Sequence, residues 1–182
     1  MERIKWSADP THSELGFKIK HLMISNVSGN FKNFAVEAET EGEDFSTATI
    51  TLSADMDSIN TNNDQRDQHL RTADFFETDK HPQLQFRSTR IEKLDDETFA
   101  VYGDLSLKGI TQPVKLHAEY SGIAKDPWGG ERAGFLVTGK ISRSAFGVTF
   151  NAVLETGGVA LSDEVKIHSE LQLVKELVAE LA

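Results

Sequence analysis

The sequence predicts an all-β fold whose long antiparallel strands curl into a closed barrel or a sandwich. Three observations carry this. Apolar and polar residues alternate strictly along at least six runs, turn signals separate those runs, and the runs are long. Alternation with period two marks strands with one buried and one wetted face.

Taken in order, Leu15, Phe17 and Ile19 alternate with Gly16, Lys18 and Lys20. Ile50, Leu52, Ala54 and Met56 form the next run. Phe99, Val101, Gly103, Leu105 and Leu107 follow, then Val114, Leu116, Ala118 and Tyr120. Phe135, Val137, Gly139 and Ile141 precede a last run of Val165, Ile167, Leu171 and Leu173. Turns fall at Ser28-Gly29-Asn30, Glu41-Gly42-Glu43, Asp95-Asp96-Glu97, Gly109 and Asp126-Pro127-Trp128-Gly129-Gly130. About eight strands result. Those at 97–108, 112–124 and 161–175 far exceed the usual ~5–6 residues. Strands this long cannot stay flat and open-edged. Gly16, Gly103 and Gly139 lie within strands and read as bends. Residues 58–76 break the pattern. Their Asn/Asp cluster resembles a helix start, with two helical turns over 64–71. Ser142 to Gly147 is a second short excursion. No linker or internal repeat divides the chain, so residues 1–182 read as one domain.

The 182 residues carry 19 Lys+Arg against 29 Asp+Glu, a formal charge of −10, and no Cys. The missing cysteines exclude disulfides, thiolate zinc sites and cysteine nucleophiles. The acidic balance argues against nucleic acid and against general affinity for anionic lipid headgroups. No run reaches the ~20 apolar residues that span a bilayer. The N-terminus has no apolar leader, so the chain as given reads as cytoplasmic, or periplasmic if a leader was removed. The stripe Glu37, Glu39, Glu41, Glu43 and Asp44 reads as a solvated strand face. Nucleophile-elbow, phosphate-loop, dinucleotide and H-E-x-x-H motifs are missing, and the six histidines have no metal-ligand spacing. No cofactor and no metal are expected.

Several segments carry a family resemblance. They are Ser7-Ala8-Asp9-Pro10-Thr11-His12-Ser13, Phe17 to His21, Gly29-Asn30-Phe31, Ser58-Ile59-Asn60-Thr61 and Arg66-Asp67-Gln68-His69-Leu70. Asp74-Phe75-Phe76, His81-Pro82 to Phe86, Gly103 to Gly109 and Pro113-Val114 continue it. Ser142-Arg143-Ser144-Ala145-Phe146-Gly147 and Leu161 to Val165 close it. In this order they resemble the YceI-like family over nearly the whole chain. The resemblance implies an extended eight-stranded, lipocalin-like antiparallel β-barrel with one or two short helices. It also implies a polyisoprenoid (quinone-like) or fatty-chain lipid held in the interior, and a barrel able to pair as a homodimer.

By parity Phe17, Ile19, Ile50, Leu52, Phe86, Val101, Leu105, Leu116, Phe135 and Val137 point inward, and Phe31 joins them as a candidate ligand contact. His21 shares that parity. It reads as a head-group partner or as a core histidine bonded to backbone or carboxylate. His12 reads as a brace for an Asx turn at Asp9. Residues 58–76 read as a lid or mouth. There Phe75 and Phe76 grip a chain or plug the core, and Arg66 and His69 meet a head group. Alternatively Arg66 and Asp67 dock the helix through salt bridges. Arg143 and Phe146 form a second mouth element, as ligand contact or as a buried arginine at the barrel end.

The reading is a non-enzymatic lipid carrier without a catalytic residue. The alternatives are a lipid-modifying barrel enzyme using His21 or His69, and a solid-core, stress-related interaction protein.

Overall fold

A computed structural model describes residues 2–22, 24–151 and 160–176. The strands are β1 (Arg3–Ala8), β2 (Glu14–His21), β3 (Ser25–Phe31), β4 (Phe34–Glu41), β5 (Asp44–Asp55) and β6 (Ile59–Asn60). They continue as β7 (Gln83–Lys93), β8 (Thr98–Leu107), β9 (Ile110–Lys125), β10 (Glu131–Ser142) and β11 (Leu161–Glu176). Among the described residues there are also one α-helix, α1 (Asp64–Leu70), and 3₁₀ turns at Met56–Ser58 and Arg143–Phe146.

The eleven strand segments occupy eight positions around a closed antiparallel barrel. β11 pairs with β10 on one side. On its other side it pairs with β2 over residues 161–170 and with β1 over residues 173–176. β1 and β2 are therefore one barrel strand, interrupted where Pro10 supplies no N–H and Asp9 Oδ1 accepts the Thr11 N–H at 3.0 Å. His12 Nδ1 lies 2.9 Å from Asp9 Oδ2 and braces that turn. β3 and β4 likewise make one broken barrel strand, pairing with β2 and β1, and β6 extends the path of β5 past the 3₁₀ turn to pair with β3. β1–β11 pairing closes the ring, leaving no long free edge among the described residues to template association.

The strand glycines do not mainly supply bends. They supply room. A β-carbon on Gly103 would stand 2.5 Å from Phe86 Cζ, and one on Gly139 would stand 2.6 Å from Leu116 Cδ2. Real side chains do not tolerate such distances, so these positions let inward-facing neighbours lie against bare backbone.

The two barrel ends differ in construction. The β4–β5, β7–β8 and β9–β10 turns lie at one end, and the other carries α1, the β2–β3 and β8–β9 turns and the second 3₁₀ turn. At the first end Phe45 packs against Trp6, Tyr120 and Phe135 with ring centroids 5.0, 5.5 and 4.9 Å apart. The buried Trp6 indole N–H donates to Thr40 Oγ1 at 2.9 Å, so the indole is not left as an orphaned donor. Burial raises the Tyr120 phenol pKa. This end is solid.

Candidate functional site

Above the aromatic plug the barrel is hollow. A cavity of about 470 Å³ runs toward the opposite end, within the range of small-molecule sites. Its wall is almost wholly aliphatic and aromatic because each strand contributes only its inward set. The solid-core alternative does not match this interior.

Phe17, Ile19, Phe31, Ile50, Leu52, Phe86, Val101, Leu105, Leu116, Phe135 and Val137 all border the cavity, as do His21, Phe75, Phe76, Arg66, His69 and Arg143. Phe146 does not. It is 1% exposed and joins the packed core, held there by the 3₁₀ turn that contains it. Residues not singled out by parity also border the space, among them Phe45, Leu84, Ile91 and Phe150.

Polar groups gather at the mouth. The Asn63 side chain caps α1, accepting the Arg66 N–H at 3.0 Å. Arg66 and Asp67 dock this short helix, but not through ion pairs. Both converge on Thr61, just past β6. Arg66 Nε donates to Thr61 Oγ1 at 2.8 Å and Nη2 donates to the Thr61 carbonyl at 2.7 Å. The Asp67 carboxylate, 4% exposed, accepts the Thr61 N–H at 3.0 Å and its hydroxyl at 2.5 Å. A helix of seven residues is marginal alone, and this knot fixes it to the barrel.

His69 Nε2 lies 2.8 Å from Asp74 Oδ2, and its ring stands edge-on to Phe75 at 5.0 Å and Phe150 at 5.1 Å. The two phenylalanines are themselves 5.1 Å apart, so the three rings form one rim cluster. His21 borders the cavity without a side-chain hydrogen bond among the described residues.

Arg143 is 7% exposed. Its Nε donates to the Ser162 carbonyl at 3.0 Å, and Nη1 donates to the carbonyls of Val148 at 3.0 Å and Phe150 at 2.9 Å. It therefore staples the segment leaving the 3₁₀ turn to the start of β11. Burial lowers its pKa and the nearby Asp163 carboxylate opposes that shift. Hydrogen bonds from Ser142 and Ser144 in turn hold the Asp163 pKa down.

Among the described residues no three His, Asp or Glu side chains are placed to hold a metal ion, and no helix is long and apolar enough to cross a membrane. What the arrangement can do is surround an apolar chain while offering donors at one end.

A family model described as the YceI-like domain matches residues 6–173. UPF0312 protein SAB2563 of Staphylococcus aureus is 42% identical over 165 residues, covering 90% of this chain and 94% of the relative. The crystal structure of the Campylobacter jejuni YCEI protein matches with a TM-score of 0.76 at 33% identity, over 87% of this chain and 90% of that one. A polyisoprenoid binding domain from Saccharophagus degradans, implicated in plant cell wall breakdown, shares the fold at 16% identity. Its TM-score is 0.67, over 94% of this chain and 98% of that domain. By sequence and by architecture, this chain belongs to the YceI-like family.

Proposed function

We propose that the protein is a non-enzymatic carrier holding a long isoprenoid, quinone-like or fatty-chain lipid in its barrel. The observation that carries this reading is the apolar barrel cavity whose arginines and histidines stand only at the mouth. The polyisoprenoid-binding description of the S. degradans neighbour points the same way.

The energetics select for length. Each buried methylene contributes about 0.8 kcal/mol, so about twelve contribute roughly 10 kcal/mol. Lost translational and rotational freedom costs about 4–15 kcal/mol on association. Short chains therefore bind weakly, and affinity climbs with chain length until the cavity is filled. Arg66, His69, Arg143 and His21 would orient the head group rather than supply most of the affinity.

Organic extraction of the purified protein followed by mass spectrometry should recover a long-chain lipid. Displacement of cis-parinaric acid by a graded series of fatty acids should sharpen by up to about fourfold per added methylene. Empty protein that also ignores the whole series would defeat the reading. Conversion of a bound lipid, lost in His21→Ala or His69→Ala, would replace it with the enzymatic alternative.

A further inference from the structure

We propose that the mouth end of the barrel docks on an anionic phospholipid surface, Leu22 and Ile24 entering the headgroup layer and Lys18, Lys20 and Lys166 meeting its phosphates. The proposal rests on the carrier reading and adds the surface with which the cavity exchanges its cargo.

Two independent features converge on one edge of the mouth. The first is apolar. Six large hydrophobic side chains are exposed among the described residues, and four of them (Leu22, Ile24, Ile110 and Phe150) belong to the mouth end. Ile24 is 86% exposed and Leu22 is 39% exposed, both on the turn joining β2 to β3. Leu22 also holds a φ of 55°, an uncommon backbone conformation for a leucine. The cavity opens beside this turn, where His21, Val27 and Leu161 border it.

The second feature is charge. On the outer face Lys140 stands opposite Lys166, and Lys166 stands opposite Lys18. Like charges directly opposed across a sheet are destabilising. Glu164 offsets Lys140 at 3.4 Å, but Lys18, Lys20 and Lys166 have no ion-pair partner among the described residues. The neighbouring outward positions on β3 are Asn26 and Ser28, not acids. In a chain of net charge −10, a run of unpaired lysines beside exposed aliphatic side chains is complementary to an anionic surface.

The geometry fits a bilayer edge. Lys20 pairs with Asn26 and Lys18 with Ser28, which puts them about 7–15 Å behind the Ile24 tip along the strands. Lysine stems reach forward from there while the turn enters a headgroup layer about 5–8 Å deep. The overall acidity still disfavours general binding to anionic surfaces. Attraction comes from this edge, where Lys18, Lys20 and Lys166 stand close together.

Flotation with vesicles of phosphatidylcholine alone, or mixed equally with phosphatidylglycerol, tests this on the full chain. The protein should float with the mixed vesicles, less so as salt is raised, and not with phosphatidylcholine alone. Lys18→Ala with Lys166→Ala should weaken the association about 30-fold, taking about fivefold per lysine. Ile24→Asp should weaken it at least about tenfold. All variants should keep uptake of cis-parinaric acid from solution, which reports an intact fold and cavity. Wild-type protein that takes up parinaric acid yet ignores mixed vesicles overturns the proposal, as do variants that float like wild type. A dimer that Ile24→Asp splits and that does not float overturns it equally. Flotation that persists without any parinaric uptake would sustain the docking surface and count against the carrier reading.

Discussion

The ring of Phe17 is seated on Gly29, its direct partner across β2 and β3, closer than any β-carbon at that position would permit. Gly29 thus determines how far Phe17 projects into the cavity it borders. Gly29→Ala should push the ring inward. The expected cost is the ~1–3 kcal/mol of an overpacked core, a fall in Tm of roughly 2–12 °C, with weaker binding of long chains. Phe17→Leu in the same chain removes the clashing ring atoms and should restore much of both. Calorimetry and parinaric acid titration of the single and double variants check this. Additive losses would show that the two residues do not communicate.

The docking of α1 depends on Asp67. Its carboxylate is the partner of both the Thr61 amide and the Thr61 hydroxyl in a buried position. Asp67→Ala leaves two donors without an acceptor, at about 1–3 kcal/mol each. Hydrogen exchange should rise through residues 61–71 before the barrel strands are affected. Uniform protection across α1 in this variant would mean the helix is held by something else.

The pH response of the β1–β2 turn has a definite sign. The Arg132 guanidinium, 2.6 Å away, holds the Asp9 carboxyl well below the usual aspartate range, with His12 and Thr11 assisting. The folded state therefore binds that proton less readily than the unfolded chain. The resulting stabilisation is complete above the ordinary aspartate pKa of ~3.9 and declines as the pH falls below it. Asp9→Asn should lower the Tm at about pH 7, and its deficit should shrink below about pH 4. A deficit equally large at both pH values would place its cause elsewhere.

How much of this was legible follows from where the strand parity holds. Ile50 and Leu52, or Leu116 and Ala118, sit in uninterrupted ladders, and alternation alone assigns their faces. Phe45 and Ile91 escape because register shifts intervene, between Glu39 and Glu41 opposite β5 and between Ser88 and Arg90 in β7. A shifted register exchanges inward and outward faces, so Phe86 and Ile91 both reach the cavity from opposite parities. The hydrophobic period cannot show such a shift. Phe146 lies in a 3₁₀ turn, which follows no strand parity, so its place in the packed core shows only in the structure. The helix start was visible in the Asn/Asp cluster, but not its anchor. Thr61 lies outside α1, and nothing in its spacing indicates that two side chains will converge on it. The lysine patch was hidden because Lys18 and Lys20 come from β2 and Lys166 from β11, far apart in the chain.

Arg143 offers the sharpest test of the mouth architecture, because Lys keeps the charge and loses the fork. Its guanidinium donates to three carbonyls spread over residues 148–162, a geometry that one ammonium on a flexible stem cannot reproduce. Burial also disfavours the charged form at this site, which an arginine tolerates far better than a lysine. Arg143→Lys should therefore cost about 2–4 kcal/mol, as charge-assisted bonds to buried carbonyls are lost. With the segment from Val148 to Phe150 released, the Phe150 ring should leave the His69–Phe75 cluster and bound lipid should dissociate faster. Stopped-flow release of parinaric acid measures that rate directly. Release as slow as in wild type, from a variant shown to be destabilised, would separate the staple from the mouth and confine Arg143 to a folding role.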